Sequence, residues 1–512
     1  QVGAGEIFTL SVGFSRKPSP TMLFRGEPVE VAAGPHPEFV IQVTGFGFTF
    51  LDRIQQRLVV DRDNPESTRA EFTVRADPSD VAAPRFLEVS YEFAGVVVGR
   101  AWARIQVLPG GPQIAAPALV RGSGLLRSIE AGEGPHLTVD IFSREGDQEL
   151  QWRFHCRYPD IVRPGAVTTT LKDHSAQSFA IQLMRQVPNV QPGAFLAATI
   201  HGVGEQIADA MPGEFWRIFE QTWNRARDDG QEPRLQFTTT EPWIPWALAW
   251  VSPDRLHAPE DLLPDSEGRA LGQLWQVGRW TPPTRHLATG DVPASPPASE
   301  VDATKMAVII GNYQGAVGIT QLPNAVEEGN AIALTYGALP LRVSDTDVAA
   351  LMSCSLRRDG EPFRPTVIHF AGHGQTDVNN PQFTGLVLTG GYKLDPLMVR
   401  GFRLVAEQRP FVFLNACEAG VGGATLAELG GLVGAFLAEG ACGFIAPLWK
   451  VDDVEAHDIA LEFYRRTLVD GQTVGEAMLA IRQRYTPQST SASALAYVFY
   501  GNPDLRLKRS AA

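Results

Sequence analysis

The sequence predicts an α/β fold, a mainly parallel sheet with helices on both faces, preceded by β-sandwich-like domains. Three observations carry that expectation. From 304 to 512, apolar β-branched runs alternate with segments of helical period, as strands and helices of a parallel sheet do. Two of those runs, VIHFAGHG at 367–374 and FLNACEAG at 413–420, stop abruptly in small residues around one reactive side chain. Ahead of them, residues 1–110 carry short alternating runs broken by Pro, Gly and Asp, the pattern of a β-sandwich.

Taken in order, EIFTLSVGF, PVEVAA, EFVIQVTGFGF, QRLVV, AEFTVRA and FLEVSYEFAGVVVGRAWARIQVL are the candidate strands of the first domain. Glu71-Phe72-Thr73-Val74-Arg75 alternates polar and apolar side chains, which turns one face of that strand to a core. LPGGPQ at 108–113 reads as a linker, and residues 114–205 as a second β-rich domain with strands HLTVDIF, LQWRFHCR, SFAIQLM and AFLAATI. The period then changes. In GEFWRIFEQTWNRARDDG (213–230), Phe215, Phe219, Trp223 and Ala226 recur at helical spacing and Gly230 closes the run. Residues 206–303 form a connecting segment: this helix, then RLQFTTTEPWIPWALAWV, then the Pro-, Ser- and Ala-rich stretch 281–303, which reads as an exposed linker.

From 304 onward the predicted order is strand KMAVIIGN, helix NAVEEGNAIALTYG, strand LPLRV, a helix near 346–358, strand TVIHFAG, a helix near 395–408, strand PFVFLNA, a helix near 424–438, strand GFIAPLW, helices near 453–469 and 473–484, and a last strand LAYVFYG. No internal repeat interrupts it.

Composition narrows the function. A net charge of −13 without a Lys/Arg cluster argues against a nucleic-acid footprint. No stretch approaches the roughly 18 consecutive apolar residues of a membrane span, and no signal-peptide pattern is visible. The four cysteines, Cys156, Cys354, Cys417 and Cys442, form neither a disulfide framework nor a CxxC pair, so a reducing cytoplasm is the natural compartment. Neither a metal nor a cofactor is expected.

Open α/β sheets bind ligands beyond the carboxyl ends of their strands, so the two abrupt strand ends are where chemistry belongs. Cys417 has the setting of a nucleophile. Ala416, Ala419 and Gly420 permit a sharp strand-to-helix turn, and a helix starting near 422–424 would favour thiolate through its N-terminal dipole. His373, between Gly372 and Gly374, ends the neighbouring run and suits the base. The N–H groups of Gly374 and Cys417 would make an oxyanion hole. Other candidates fit less well. His369 lies inside its strand and reads as a core or supporting residue, Cys442 reads as packing, and Cys354 has no His near it in sequence. His155 and Cys156, adjacent along a strand, point to opposite faces.

HFAGHG, LNACEAG, GAFLAEGACGFIAPLWKVDD and AYVFYGNPDLRL, in that order, resemble the successive signatures of CHAT-domain proteases, cysteine peptidases related to caspases and separases. The resemblance covers about 300–510, and LQFTTTEPWIPWALAWV extends it to about 205. It implies a caspase-like catalytic domain at 304–512 with His373 and Cys417 as the dyad of a regulated endopeptidase that cleaves a specific protein partner, as in bacterial defence or death systems. Caspases that cut after Asp carry an arginine after the first core strand; here YQGAVGITQL follows, without Arg or Lys. Separase relatives place an Asp after the LW motif to hold an Arg side chain. LWKVDD puts Asp452 and Asp453 there, Asp453 aligning better, although Asp also suits a helix N-cap. Residues 1–200 resemble no catalytic family and read as recognition or scaffold domains that bind a regulatory protein partner. The alternative is a latent CHAT-derived scaffold whose N-terminal domains bind a partner.

Overall fold

The computed structural model describes residues 2–14, 22–24, 36–45, 47–109, 121–122, 134–143, 148–163, 165–172, 175–187, 190, 193–263, 268–281, 298–316, 318–375, 385–418, 426–486 and 488–509. They form two compact units. The first takes its described residues from Gln1–Thr138 and Arg153–Ala166, the second from Val139–Trp152, Val167–Thr281 and Pro297–Ala512.

In the first unit, one sheet runs in the order Val2–Gly3, Val96–Leu108, Ala83–Phe93, Glu38–Gly45, Gln55–Val59, and a second in the order Ile7–Gly13, Arg69–Ala76, Phe48–Phe50. Alternation explains how they meet. Ala70, Phe72, Val74 and Ala76 are fully buried while Arg69, Glu71 and Arg75 are exposed, and the buried side chains join Phe39, Ile41, Val43, Leu87 and Val89 in one core. The predicted strand PVEVAA and the 108–113 linker, apart from its first two residues, lie outside the described residues, as do 282–297 of the Pro-rich stretch.

The thirteen-stranded sheet carries the C-terminal signatures. Its central strands are β1 (Met306–Ile310), β2 (Leu339–Arg342), β3 (Val367–Gln375), β4 (Phe411–Glu418), β5 (Gly443–Pro447) and β6 (Tyr497–Tyr500), in the spatial order β2-β1-β3-β4-β5-β6. β1 to β5 are parallel and β6 runs antiparallel to β5. Every residue of β1 and β5 is buried, as expected of strands covered on both faces. Beyond β6 the order continues through Gln276–Trp280, Arg234–Thr239, Leu137–Phe142, Glu149–Cys156 and Val167–Thr170.

The described residues of 114–205 therefore do not make a β-rich body of their own. Two of their predicted strands, HLTVDIF and LQWRFHCR, belong to this sheet, and SFAIQLM and AFLAATI lie in helices Ala176–Met184 and Ala194–Asp209. Seven-residue apolar windows hide the period. Over the full second segment Leu196, Ile200, Val203 and Ile207 are buried at helical spacing, and Ser175 caps the first helix by accepting from the Ser178 N–H.

Helices cover both faces of the central strands. α1 (Pro323–Tyr336), with Pro323 in its first turn and Gly337 closing it at φ +63°, packs on β1 and β3 and against α3 (Asp453–Tyr464). Phe411 and Phe413 of β4 meet Phe463 of α3, whereas Phe444 of β5, aligned with Val412, meets Phe436 of α2 (Leu426–Ala438). Phe411 and Phe413 point opposite to Val412, so α1 and α3 lie on one face and α2 on the other. In the EPWIPW segment, Glu241 accepts from Trp243 N–H, Ile244 N–H, Trp246 Nε1 and Arg279, all within 2.9 Å, and this buried knot fixes the chain ahead of β1.

Candidate active site

The connection from β1 leads outward to β2 and the next returns to β3 on the other side of β1. This reversal is where open α/β sheets leave a crevice at their carboxyl ends. His373 stands at that edge, near the end of β3. The register of β3 and β4 aligns Ala371 with Asn415, His373 with Cys417 and Gly374 with Glu418, so the two sequence-predicted residues are direct partners on adjacent strands. Neighbouring strands run about 4.8 Å apart, and aligned positions of a parallel pair share a face. The Cys417 side chain and residues 419–425, where the helix dipole was expected, lie outside what the structure describes.

His373 is held by the loop that follows β1. Its Nε2 lies 2.6 Å from the Thr320 carbonyl, its backbone N–H donates to Tyr313 Oη at 2.9 Å, and its ring packs on that of Tyr313 with centroids 4.9 Å apart. A ring nitrogen facing a carbonyl must carry the proton, so in the neutral imidazole Nδ1 is the acceptor. The same loop is closed by Gln321, whose Oε1 accepts the Tyr313 N–H at 2.8 Å. Gly311 N–H donates to Ala371 O, so the main-chain groups of residues 371 and 373 point toward β1. Those of Gly372 and Gly374 then point toward β4 and position 417, since successive strand residues alternate.

Beneath the site lies a polar network that sequence reasoning missed. Glu328 of α1, only 1% exposed, receives His369 Nε2 at 2.6 Å and Asn415 Nδ2 at 2.9 and 2.8 Å. Tyr464 Oη lies 3.2 Å from His369 Nδ1, Tyr497 Oη donates to Asn415 Oδ1 at 2.6 Å, and Asn415 Nδ2 also reaches the Ala456 carbonyl. His369 is thus a supporting residue, on the same face as His373 four positions on. Asn415 sits two positions before Cys417. Burial pushes the Tyr464 hydroxyl well above its ordinary range, with the Glu328 and Tyr336 charges adding to the effect. Two sequence signals pointed here: a Glu on the apolar stripe Ala325, Glu328, Ile332, and an Asn inside the apolar run FVFLNA.

Asp452 and Asp453 begin α3 in different roles. Asp452 Oδ1 accepts from the N–H groups of Val454 and Glu455 at 3.0 and 3.2 Å, an N-cap. Asp453 Oδ2 accepts from Asn324 N–H at 3.2 Å and Nδ2 at 2.8 Å, tying the start of α3 to the start of α1. Cys442 is buried, which pushes its thiol up to about 12, and Cys354, raised by partial burial and the Glu407 charge, is half-buried away from any described His partner. Among the described residues no group of three or more His, Cys, Asp or Glu is placed to hold a metal ion, and no helix is long and apolar enough to cross a membrane.

Residues 244–499 match the profile of the CHAT domain. No curated protein sequence matches the chain. Among solved structures, two crystal structures of the Saccharomyces cerevisiae separase–securin complex are similar, at 3.0 and 2.6 Å resolution, each with 12% identity and a TM-score of 0.30. Each match covers 65% of this chain and 21% or 20% of the other, so the chain spans about a fifth of the length of those chains.

Proposed function

Because the chain belongs to the CHAT-domain family, we propose that it is a cysteine endopeptidase in which Cys417 and His373 carry acyl transfer. The observation that carries this reading is the register pairing of His373 with Cys417 at the switch-point edge of the sheet, with Nε2 of the histidine engaged by Thr320. Nδ1 of His373 takes the thiol proton as sulfur attacks the scissile carbonyl. The N–H groups of Gly374 and Cys417, the oxyanion hole expected from the sequence, face the Cys417 and Gly372 carbonyls across the β3–β4 ladder and are not free to receive the oxyanion. The tetrahedral intermediate collapses to a thioester as His373 returns the proton to the leaving amine, and a water activated by the same imidazole then releases the acid and the thiol.

Asp453, held by Asn324 at the head of α3, is the proposed acidic selector, with Asp452 beside it, for a substrate bearing Arg or Lys before the cut. The absence of Arg and Lys between Gly311 and Leu322 supports a basic over an acidic preference. The β-sandwich unit is the proposed recognition element for a protein substrate or regulator of a cytoplasmic pathway of defence or programmed death.

The test is cleavage of a peptide library varied at the residue before the cut, by wild type, Cys417→Ala and His373→Ala. Both variants should be inactive and folded. Cleavage that survives Cys417→Ala would remove the assignment.

A further inference from the structure

The loop from Gly311 to Leu322 does more than follow the first core strand. β1 ends at Ile310, and past its end the short strand Gly385–Val387 takes over beside β3, pairing Leu386 with Gly374 and Gly385 with Gln375. The His373 N–H points into the seam between the two neighbours. The Tyr313 hydroxyl fills the gap: it accepts from the His373 N–H at 2.9 Å and donates to the Val387 carbonyl at 3.1 Å. Tyr313 is 1% exposed, and burial raises its hydroxyl well above the ordinary tyrosine range, so it remains a neutral donor and acceptor. The fit is close: a Cβ on Gly372 would lie 2.7 Å from that hydroxyl. This explains why the residue before His373 has no side chain.

We propose that Tyr313 is a positioning residue for His373, completing the sheet at the seam between β1 and Gly385–Val387 and setting the imidazole so that Nε2 meets the Thr320 carbonyl and Nδ1 is the proton acceptor. The inference rests on the dyad reading above. One loop thereby holds the histidine at its backbone N–H, at its ring face and at Nε2, and Gln321 latches that loop through the Tyr313 N–H. Without the hydroxyl, the His373 N–H and the Val387 carbonyl lose their shared partner, and the ring is free to turn away from Thr320.

The experiment is the pH dependence of Cys417 alkylation by iodoacetamide on the full chain, read by peptide mass spectrometry, which needs no substrate. Wild type should show thiolate reactivity persisting to about pH 6 through the imidazolium partner. Tyr313→Phe should lower the rate at about pH 6 roughly tenfold, the equivalent of one pKa unit, and converge with wild type at about pH 9.5, where thiolate forms unaided. Gly372→Ala should produce a similar loss by displacing the hydroxyl. The double variant should react faster at low pH than Gly372→Ala alone, because removing the hydroxyl makes room for the methyl. Should Tyr313→Phe fail to fold, Gln321→Ala, which only loosens the loop latch, should give a loss of about threefold in the same low-pH range. A wild-type low-pH limb that all these variants retain would overturn the role of Tyr313. A folded wild type without that limb would overturn the dyad itself, and the inference with it.

Discussion

Replacing Glu328 tests whether the network under the site governs the stability of the central sheet. The carboxylate accepts one hydrogen bond from His369 at 2.6 Å and two from Asn415 at 2.9 and 2.8 Å, and all three residues are at most 4% exposed. Glu328→Ala leaves His369 Nε2 without its acceptor, while Asn415 Nδ2 keeps the Ala456 carbonyl. One orphaned buried donor costs about 1–3 kcal/mol, and the volume vacated by the side chain adds a cavity cost, for a total of about 3–5 kcal/mol. Glu328→Gln keeps the shape but must present its NH₂ to another donor. If that amide faces Asn415, the Asn415 amide has to flip, which turns its oxygen toward the Ala456 carbonyl and its NH₂ toward Tyr497. The expected cost is about 1–3 kcal/mol, below that of alanine. Urea unfolding read as a shift of midpoint at constant slope measures both, against a total stability of about 5–15 kcal/mol for a typical domain. An alanine variant within about 0.5 kcal/mol of wild type would refute the reasoning, as would a glutamine variant less stable than the alanine one.

Asp453→Ala should lower kcat/KM for a peptide with Arg before the cut by about two decades or more and leave a Leu peptide nearly unchanged, whereas Asp452→Ala should cost about 1 kcal/mol of stability as a lost cap with little change in preference. A wild type that cuts best after Leu or Met would reduce both aspartates to helix-end ligands. Cys442, its thiol pushed up to about 12 by burial, should resist alkylation of the native protein at about pH 8, where only about one thiol in ten thousand is ionised. Burial favours the protonated form, so the stability that Cys442 contributes is full below its ordinary value of 9.0 and falls as pH rises toward about 12; Cys442→Ala should flatten that fall in an alkaline unfolding series. A fragment beginning at residue 205 should fail to fold, because it lacks Leu137–Phe142, Glu149–Cys156 and Val167–Thr170 of the thirteen-stranded sheet and bares the edge of Arg234–Thr239. A soluble fragment with cooperative unfolding would show that those strands are dispensable.

The sequence by itself determined the order of the six central strands and the longer helices from 304 onward, though not the short strand Gly385–Val387, and the two strand ends at which His373 and Cys417 stand. Those signals are local: an apolar run, a period, a glycine or small residue at its end. The β-sandwich strands were legible for the same reason, since alternation along Arg69–Ala76 is written in consecutive residues. The helices at 176–209 were not legible in short windows, where an apolar run of seven residues suits either state. The tertiary structure alone decided everything that depends on partners far apart in the chain. Tyr313 reaches His373 across 60 positions, Thr320 across 53, Glu328 reaches His369 across 41 and Asn415 across 87, and Asp453 finds Asn324 across 129. A loop tyrosine, a buried glutamate and a helix-capping aspartate look like ordinary residues of their segments. They acquire roles because the right-handed crossings of a parallel sheet bring the ends of β1, β3 and β4 together and leave buried polar groups that must find acceptors there.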